Sequence, residues 1–176
     1  PLEEIDAAVF FGRAAQIVRA LDAVRGMRLS GTNEMFVVLG PSGSGKSSFL
    51  RAGLLPRLRR EDRRFALLEI VRPERNVLTG QAGFAAAIGA TRISFGLKQP
   101  SLGEIKGACA AGDLDAVAGW LSEIRAVAAQ RLLDRGGEAG AAPTLVLPLD
   151  QAEELFSADA GEQAHVFLDL VAGLAQ

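Results

Sequence analysis

A short apolar run, a glycine-rich loop and a helix-compatible stretch follow one another over residues 35–55, and this unit constrains the chain more than any other feature. The run MFVVL (35–39) has the length and composition of a buried parallel strand. The loop GPSGSGKS (40–47) fits the phosphate-cradling pattern G-x-x-x-x-G-K-[ST], the P-loop or Walker A motif. The stretch SSFLRAGLL (47–55) can form a helix, ending or kinking near Pro56. Gly40, Gly43 and Gly45 allow backbone turns that a Cβ would forbid, so successive N–H groups can face phosphate oxygens. The helix that follows aims its positive end at the same place. In such a loop Lys46 reaches the outer phosphates as a mobile charge, and the Ser47 hydroxyl is a ligand for Mg²⁺. The alternative is a Gly/Ser turn that happens to contain a lysine.

Composition narrows the class. At 176 residues and 49% apolar, with positive mean hydropathy, the chain has enough material for one domain with a proper core. A net charge of −2 makes no case for nucleic acid as a partner. The single cysteine, Cys109, cannot form an internal disulfide, which fits a reducing compartment. No apolar run approaches the roughly 20 residues needed to span a bilayer, and no secretory signal opens the chain. The expectation is therefore a cytoplasmic protein with no membrane partner. A first residue that is not Met, and an end at Gln176 within a helix-like stretch, point to a piece of a longer chain with its domain incomplete at the C-terminus.

The remaining pattern alternates helix and strand. Ile17, Val18, Leu21, Val24 and Met27 share a helical spacing over 14–28. Residues 30–33 form a turn cluster. The arginines of 57–64 read as a solvated run, with a contact site for a partner or nucleic acid as the alternative. FALLEIV (65–71) is a second buried strand. A weaker helix, interrupted by Gly80, Gly83 and Gly89, covers 78–90. Ser101 and Glu104 have capping-box spacing for a helix over 102–111. Asp113 is the N-cap of a helix whose one apolar face is Leu114, Val117, Leu121, Ile124, Ala128 and Leu132. The connector 136–142 is glycine-rich, TLVLPL (144–149) is a third strand, and 163–175 is a final helix. Trp120 and Cys109 read as packing residues and His165 as structural.

Strands separated by helices imply an α/β fold with a parallel sheet core flanked by helices. The gap from 72 to 143 is too long for one crossover and must hold a helical insertion before the third strand. A P-loop NTPase needs a carboxylate at the tip of a strand beside the P-loop strand, and Asp150 occupies the end of LVLPLD. Pro148 is awkward in a central strand and is placed at its end. Glu153 and Glu154 follow at the sheet edge where ligands collect. Glu154 is favoured as the residue that positions attacking water, with Glu153 as a metal ligand or the alternative base. Two solvated glutamates opening a helix is the competing reading.

FFGR (10–13), GPSGSGKSSFLRAGLLP (40–56) and LPLDQAEELF (147–156) together resemble the signal-transduction ATPases with numerous domains (STAND), in particular the bacterial novel-STAND group. The resemblance covers residues 9–156, with Ala14 standing where an acidic residue often follows the Gly-Arg pair. It implies a P-loop NTPase domain in which the third strand is the Walker B strand. Gly12 and Arg13 would lie near adenine. Gly40, Pro41, Ser42, Gly43, Ser44, Gly45, Lys46, Ser47 and Ser48 would hold the phosphates of ATP or ADP. Ser47 and Asp150 would serve Mg²⁺, and Lys46, Glu153 and Glu154 would form the catalytic set. Such proteins are nucleotide switches with C-terminal sensor or repeat domains on the same chain, and they form nucleotide-dependent homo-oligomers. Hydrolysis is expected to be slow in the full-length protein and weak or absent in these 176 residues.

Two other classes share the loop. GPSGSGKS also suits a small P-loop kinase resembling the guanylate kinases, which would pass the γ-phosphate to a nucleotide or other small acceptor. Such kinases start close to the loop and use acceptor-site tyrosines, whereas Gly40 lies well inside this chain and tyrosine is absent. A transporter-type ATPase would need an LSGGQ-like segment and a glutamate at 151, where this chain has Gln151.

Overall fold

The computed structural model describes residues 12–31, 35–136, 140–157 and 160–176. Phe10 and Phe11 of the lead-in, residues 32–33 of the first turn cluster and 137–139 of the connector lie outside them. The chain divides into two compact units, 1–62 and 63–176.

In unit 1, helix α1 (Ala14–Ser30) buries Ile17, Ala20 and Leu21, and Gly31 closes it in the left-handed conformation at φ 71°. Val18 is exposed despite its helical spacing. Residues 35–39 form no strand and are mostly exposed, with Leu39 at 87%. This corrects the expected buried parallel strand. A strand exists only through its ladder, and no described strand lies in unit 1 to pair with the run.

The loop is followed by α2 (Lys46–Ser48), a π-helical turn (Phe49–Leu54) and α3 (Leu55–Arg59). Near Pro56 the helical run is thus irregular, as one of the two expected outcomes had it, and continues through the proline to Arg59. In the π turn the Leu55 N–H donates to the Leu50 carbonyl, five residues back, and Pro56 enters in the first turn of α3. The widened turn gives the proline ring room, so the irregularity precedes the proline instead of ending the helix. The run is anchored to α1 by a fork between Arg25 and Glu61, with Nε–Oε1 at 3.1 Å and Nε–Oε2 at 3.2 Å. These bonds from Glu61 raise the Arg25 pKa above its ordinary value.

Unit 2 is built on a parallel pair, β1 (Phe65–Leu67) and β2 (Thr144–Val146), with Phe65 opposite Thr144 and Leu67 opposite Val146. The pairing resumes at Val71 opposite Leu149. Between these points residues 68–70 stand against only 147–148, so the register slips by one residue. The cause is Pro148. The regular ladder would need its N–H after Val146, and proline has none. The first strand bulges instead, and Val71 donates to the Pro148 carbonyl at 2.9 Å. Within the bulge, the Glu69 amide is satisfied by Thr91 Oγ1 at 3.0 Å.

Three helices lie between the strands in sequence: α4 (Phe84–Ser94), α5 (Leu102–Ala111) and α6 (Leu114–Asp134). The helix expected at 78–90 starts later, because 75–82 is turned. The interrupting glycines enforce those turns: a Cβ on Gly80 would stand 2.7 Å from the Asn76 carbonyl oxygen, and one on Gly83 2.6 Å from that of Val77. The capping box of α5 forms as expected, with Ser101 N donating to Glu104 Oε2 at 2.8 Å and Glu104 N to Ser101 Oγ at 3.3 Å. Asp113 caps α6 through the Ala116 amide at 3.0 Å.

Helix α7 (Gln163–Leu174) inserts Ala164, Phe167 and Leu170 into the core. Phe167 meets Phe84 edge-to-face at 5.5 Å, amid Leu68, Val71, Ile88, Ile105 and Val117. Cys109 is fully buried there, and burial pushes its thiol up to about 11. Trp120 is half-buried against this core, and His165 is exposed.

Candidate functional site

In unit 1 the loop over 40–45 is turned by Gly43 (φ 75°) and Gly45 (φ 81°), both left-handed. Any Cβ-bearing residue is strained there. At Gly40 a Cβ would lie 2.8 Å from Ser44 Oγ, so the serine hydroxyl would have to turn aside. The turn closes with Ser44 N donating to the Pro41 carbonyl at 3.2 Å, and the helix begins with Phe49 N donating to the Gly45 carbonyl at 2.8 Å. Lys46 Nζ folds back over the loop, donating to the Gly40 carbonyl at 2.9 Å and the Pro41 carbonyl at 3.2 Å. A second cation meets the loop: the Arg13 guanidinium, which leads into α1, donates to the Ser44 carbonyl. Beside Arg13 is an open groove of about 280 Å³, lined also by Gln16, Arg19, Phe36, Val38 and Phe49. The structure thus brings Gly40–Ser48 and Arg13 together, and Gly12 adjoins them at φ 89°.

In unit 2 the parallel strands end side by side at the positions before Arg72 and Asp150. Asp150 N donates to the Val71 carbonyl at 3.0 Å, which pins the aspartate at the strand tip where the sequence placed it. Its side chain is buried, at 4% exposure. The Arg72 guanidinium stands 3.6 Å from Asp150 Oδ2. Immediately after Asp150, Gln151 takes φ 64° and turns the chain into a 3-10 helix over Ala152–Phe156. A left-handed non-glycine residue is strained by roughly 1–2 kcal/mol, and such strain collects at functional positions. Glu153 is exposed and Glu154 half-buried on this short helix. The Glu154 carbonyl accepts from Ser157 N at 3.2 Å and Oγ at 2.9 Å, which fixes its backbone. Among the described residues, no three of His, Cys, Asp or Glu come together as a metal cage, so Asp150, Glu153 and Glu154 do not form one.

Two features of this strand-tip region lie beyond the sequence pattern. Only the ladder pairing reveals that Arg72 faces Asp150. Gln151 carries no sequence signal for a left-handed backbone. The surrounding loops are stitched together: Arg72 N donates to the Ala82 carbonyl at 2.9 Å, and Gln163 Oε1 accepts from Leu78 N and Thr79 N at 2.9 and 3.1 Å. Gly161 lies so close to Arg75 that a Cβ would come 2.7 Å from its carbonyl oxygen.

A glycine-turned loop gripped by a lysine, and a parallel strand pair ending in a buried aspartate, belong to a chain of the α/β class. The sequence model of the family Novel STAND NTPase 1 matches residues 1–176, and the chain belongs to that family. It is accordingly a nucleotide-binding NTPase domain. No curated protein and no solved structure gives a significant match. Among the described residues, no helix is long and apolar enough to cross a membrane.

Proposed function

We propose that the chain is the ATP-binding, Mg²⁺-dependent switch domain of a signalling ATPase, slowly hydrolytic in the full-length protein. The observation that carries this reading is the geometry of Lys46. Its ammonium is held over the left-handed turn of Gly43 and Gly45 by two carbonyls of the same loop. Phosphate oxygens are stronger partners for an ammonium than neutral carbonyls, because both groups carry charge. Lys46 then exchanges Gly40 and Pro41 for the β- and γ-phosphates, while loop N–H groups supply the rest of the cradle. The groove beside Arg13 supports Gly12 and Arg13 as the base-side residues, with adenine as the base.

Ser47 and Asp150 supply oxygen donors of the class that Mg²⁺ accepts. When bound, the ion neutralises charge on the β- and γ-phosphates. Glu154, on a backbone held by Ser157, is the residue that orients water, with Glu153 as the alternative. C-terminal sensor domains, nucleotide-dependent homo-oligomers and a cytoplasmic location complete the reading. The test is Lys46→Ala. Replacing charge-assisted bonds worth about 1.5–3 kcal/mol lowers ATP affinity by roughly ten- to a hundredfold in a calorimetric titration. Unchanged affinity would sink the assignment.

A further inference from the structure

The charge of Asp150 bears directly on its neighbour Arg72. An ionised carboxylate withdrawn to 4% exposure is unfavourable unless a cation stands close. Arg72 supplies that charge, with Nη2 3.6 Å from Oδ2. The backbone fixes the pairing. Val71, immediately before Arg72, both donates to the Pro148 carbonyl and accepts from Asp150 N, so the two strand tips leave the sheet together.

The contact is nevertheless a loose one. Its length exceeds the 2.7–2.9 Å of a charge-assisted hydrogen bond. Arg72 Nε is buried with no hydrogen-bond partner among the described residues. The arginine side chain is 33% exposed, so it has solvent into which it can swing. A guanidinium with one donor unsatisfied and another held at a long distance loses little when it leaves.

We propose that Arg72 is a positioning residue that compensates the Asp150 charge while no divalent cation is bound, and that it yields the carboxylate when one binds. The proposal rests on the reading of Asp150 as the metal carboxylate. A divalent ion at Asp150 Oδ2 and a guanidinium 3.6 Å from the same atom repel each other. Cation binding must therefore displace Arg72, and the arginine lowers the apparent cation affinity by competing for the carboxylate. Removing its charge should tighten cation binding even as it weakens the apo protein, a combination that a purely structural ion pair does not produce.

The experiment titrates the chain with Mn²⁺ alone, reading free ion by electron paramagnetic resonance, in wild type, Arg72→Gln, Arg72→Lys and Asp150→Asn. Arg72→Gln should bind Mn²⁺ about tenfold more tightly, the equivalent of one pKa unit of electrostatic interaction. Arg72→Lys should remain close to wild type, and Asp150→Asn should lose the site. Equal or weaker binding by Arg72→Gln, with Asp150 dependence intact, overturns the competition alone. Binding that survives Asp150→Asn overturns the metal assignment and the competition with it. No Mn²⁺ binding by either wild type or Arg72→Gln also overturns the proposal. If Arg72→Gln does not fold unaided, millimolar Mg²⁺ should restore cooperative melting, and failure of that rescue counts against the proposal equally.

Discussion

Lys46 and Arg13 show how much a single side chain can reveal about a loop. Both donate to carbonyls of the glycine-rich turn, Lys46 to Gly40 and Pro41 and Arg13 to Ser44. Lysine at this position follows from the motif, but an arginine reaching the loop from 31 residues earlier does not. Glu154 is the residue whose role most needs chemistry to test it. Its half-buried place on the short helix after Asp150 suits a group that holds water against a phosphate. Glu154→Gln in the full-length protein should retain ATP binding and slow hydrolysis by about 10²–10⁴-fold, the range of general-base contributions. Single-turnover kinetics with normal rates in that variant would transfer the role to Glu153 or away from this helix altogether.

The elements differ in how local their causes are. The start of α5 is set by residues three apart, and its stability has a pH signature. The Ser101 hydroxyl, and then its backbone N–H, hold the Glu104 carboxyl below its usual pKa of 4.5. A carboxyl depressed in the folded state contributes stability above its unfolded pKa and loses it as pH falls through the folded value. Ser101→Ala should therefore lower the urea midpoint at pH 7, and its gap from wild type should narrow as pH falls below 4.5. A gap that stays constant across that window would deny Glu104 its share. The strand pair has a less local cause. Pro148 was recognisable as awkward, yet the one-residue slip that accommodates it depends on β1, on the Val71 bond and on Thr91 of α4 taking the Glu69 amide. The same slip brings Arg72 and Asp150 out of the sheet together.

At the scale of the whole molecule, each unit stands on its own contacts. Unit 2 gathers its core from Leu68 and Val71 just after β1, the 77–78 turn, α4, α5, α6, the 3-10 helix and α7. Phe167 sits fully buried in it, edge-on to Phe84. Phe167→Ala should cost about 3–5 kcal/mol, the usual range for deleting a buried aromatic, read as a lower urea midpoint. A cost below about 1 kcal/mol would mean that the site collapses around the void or that α7 is not integral to the core. Cys109 belongs to the same core, and with its thiol raised to about 11 it has almost no thiolate near neutrality.

The glycine-rich turn, the helices with strong caps, the parallel character of the strands and the presence of helices between residues 72 and 143 were all legible in the sequence. Each follows from short-range rules: glycine conformational freedom, capping chemistry, apolar periodicity and the length of a crossover. Tertiary structure alone decided that 35–39 forms no strand in its own unit, that α4 begins only after the 75–82 turns, and that the helical run passes Pro56. It also decided that Arg72 faces Asp150 and that Gln151 turns left-handed beside it. These features depend on partners distant in sequence or on the exact path of the backbone. A sequence pattern can name a residue fit for a strand tip, but the ladder decides which charge stands beside it.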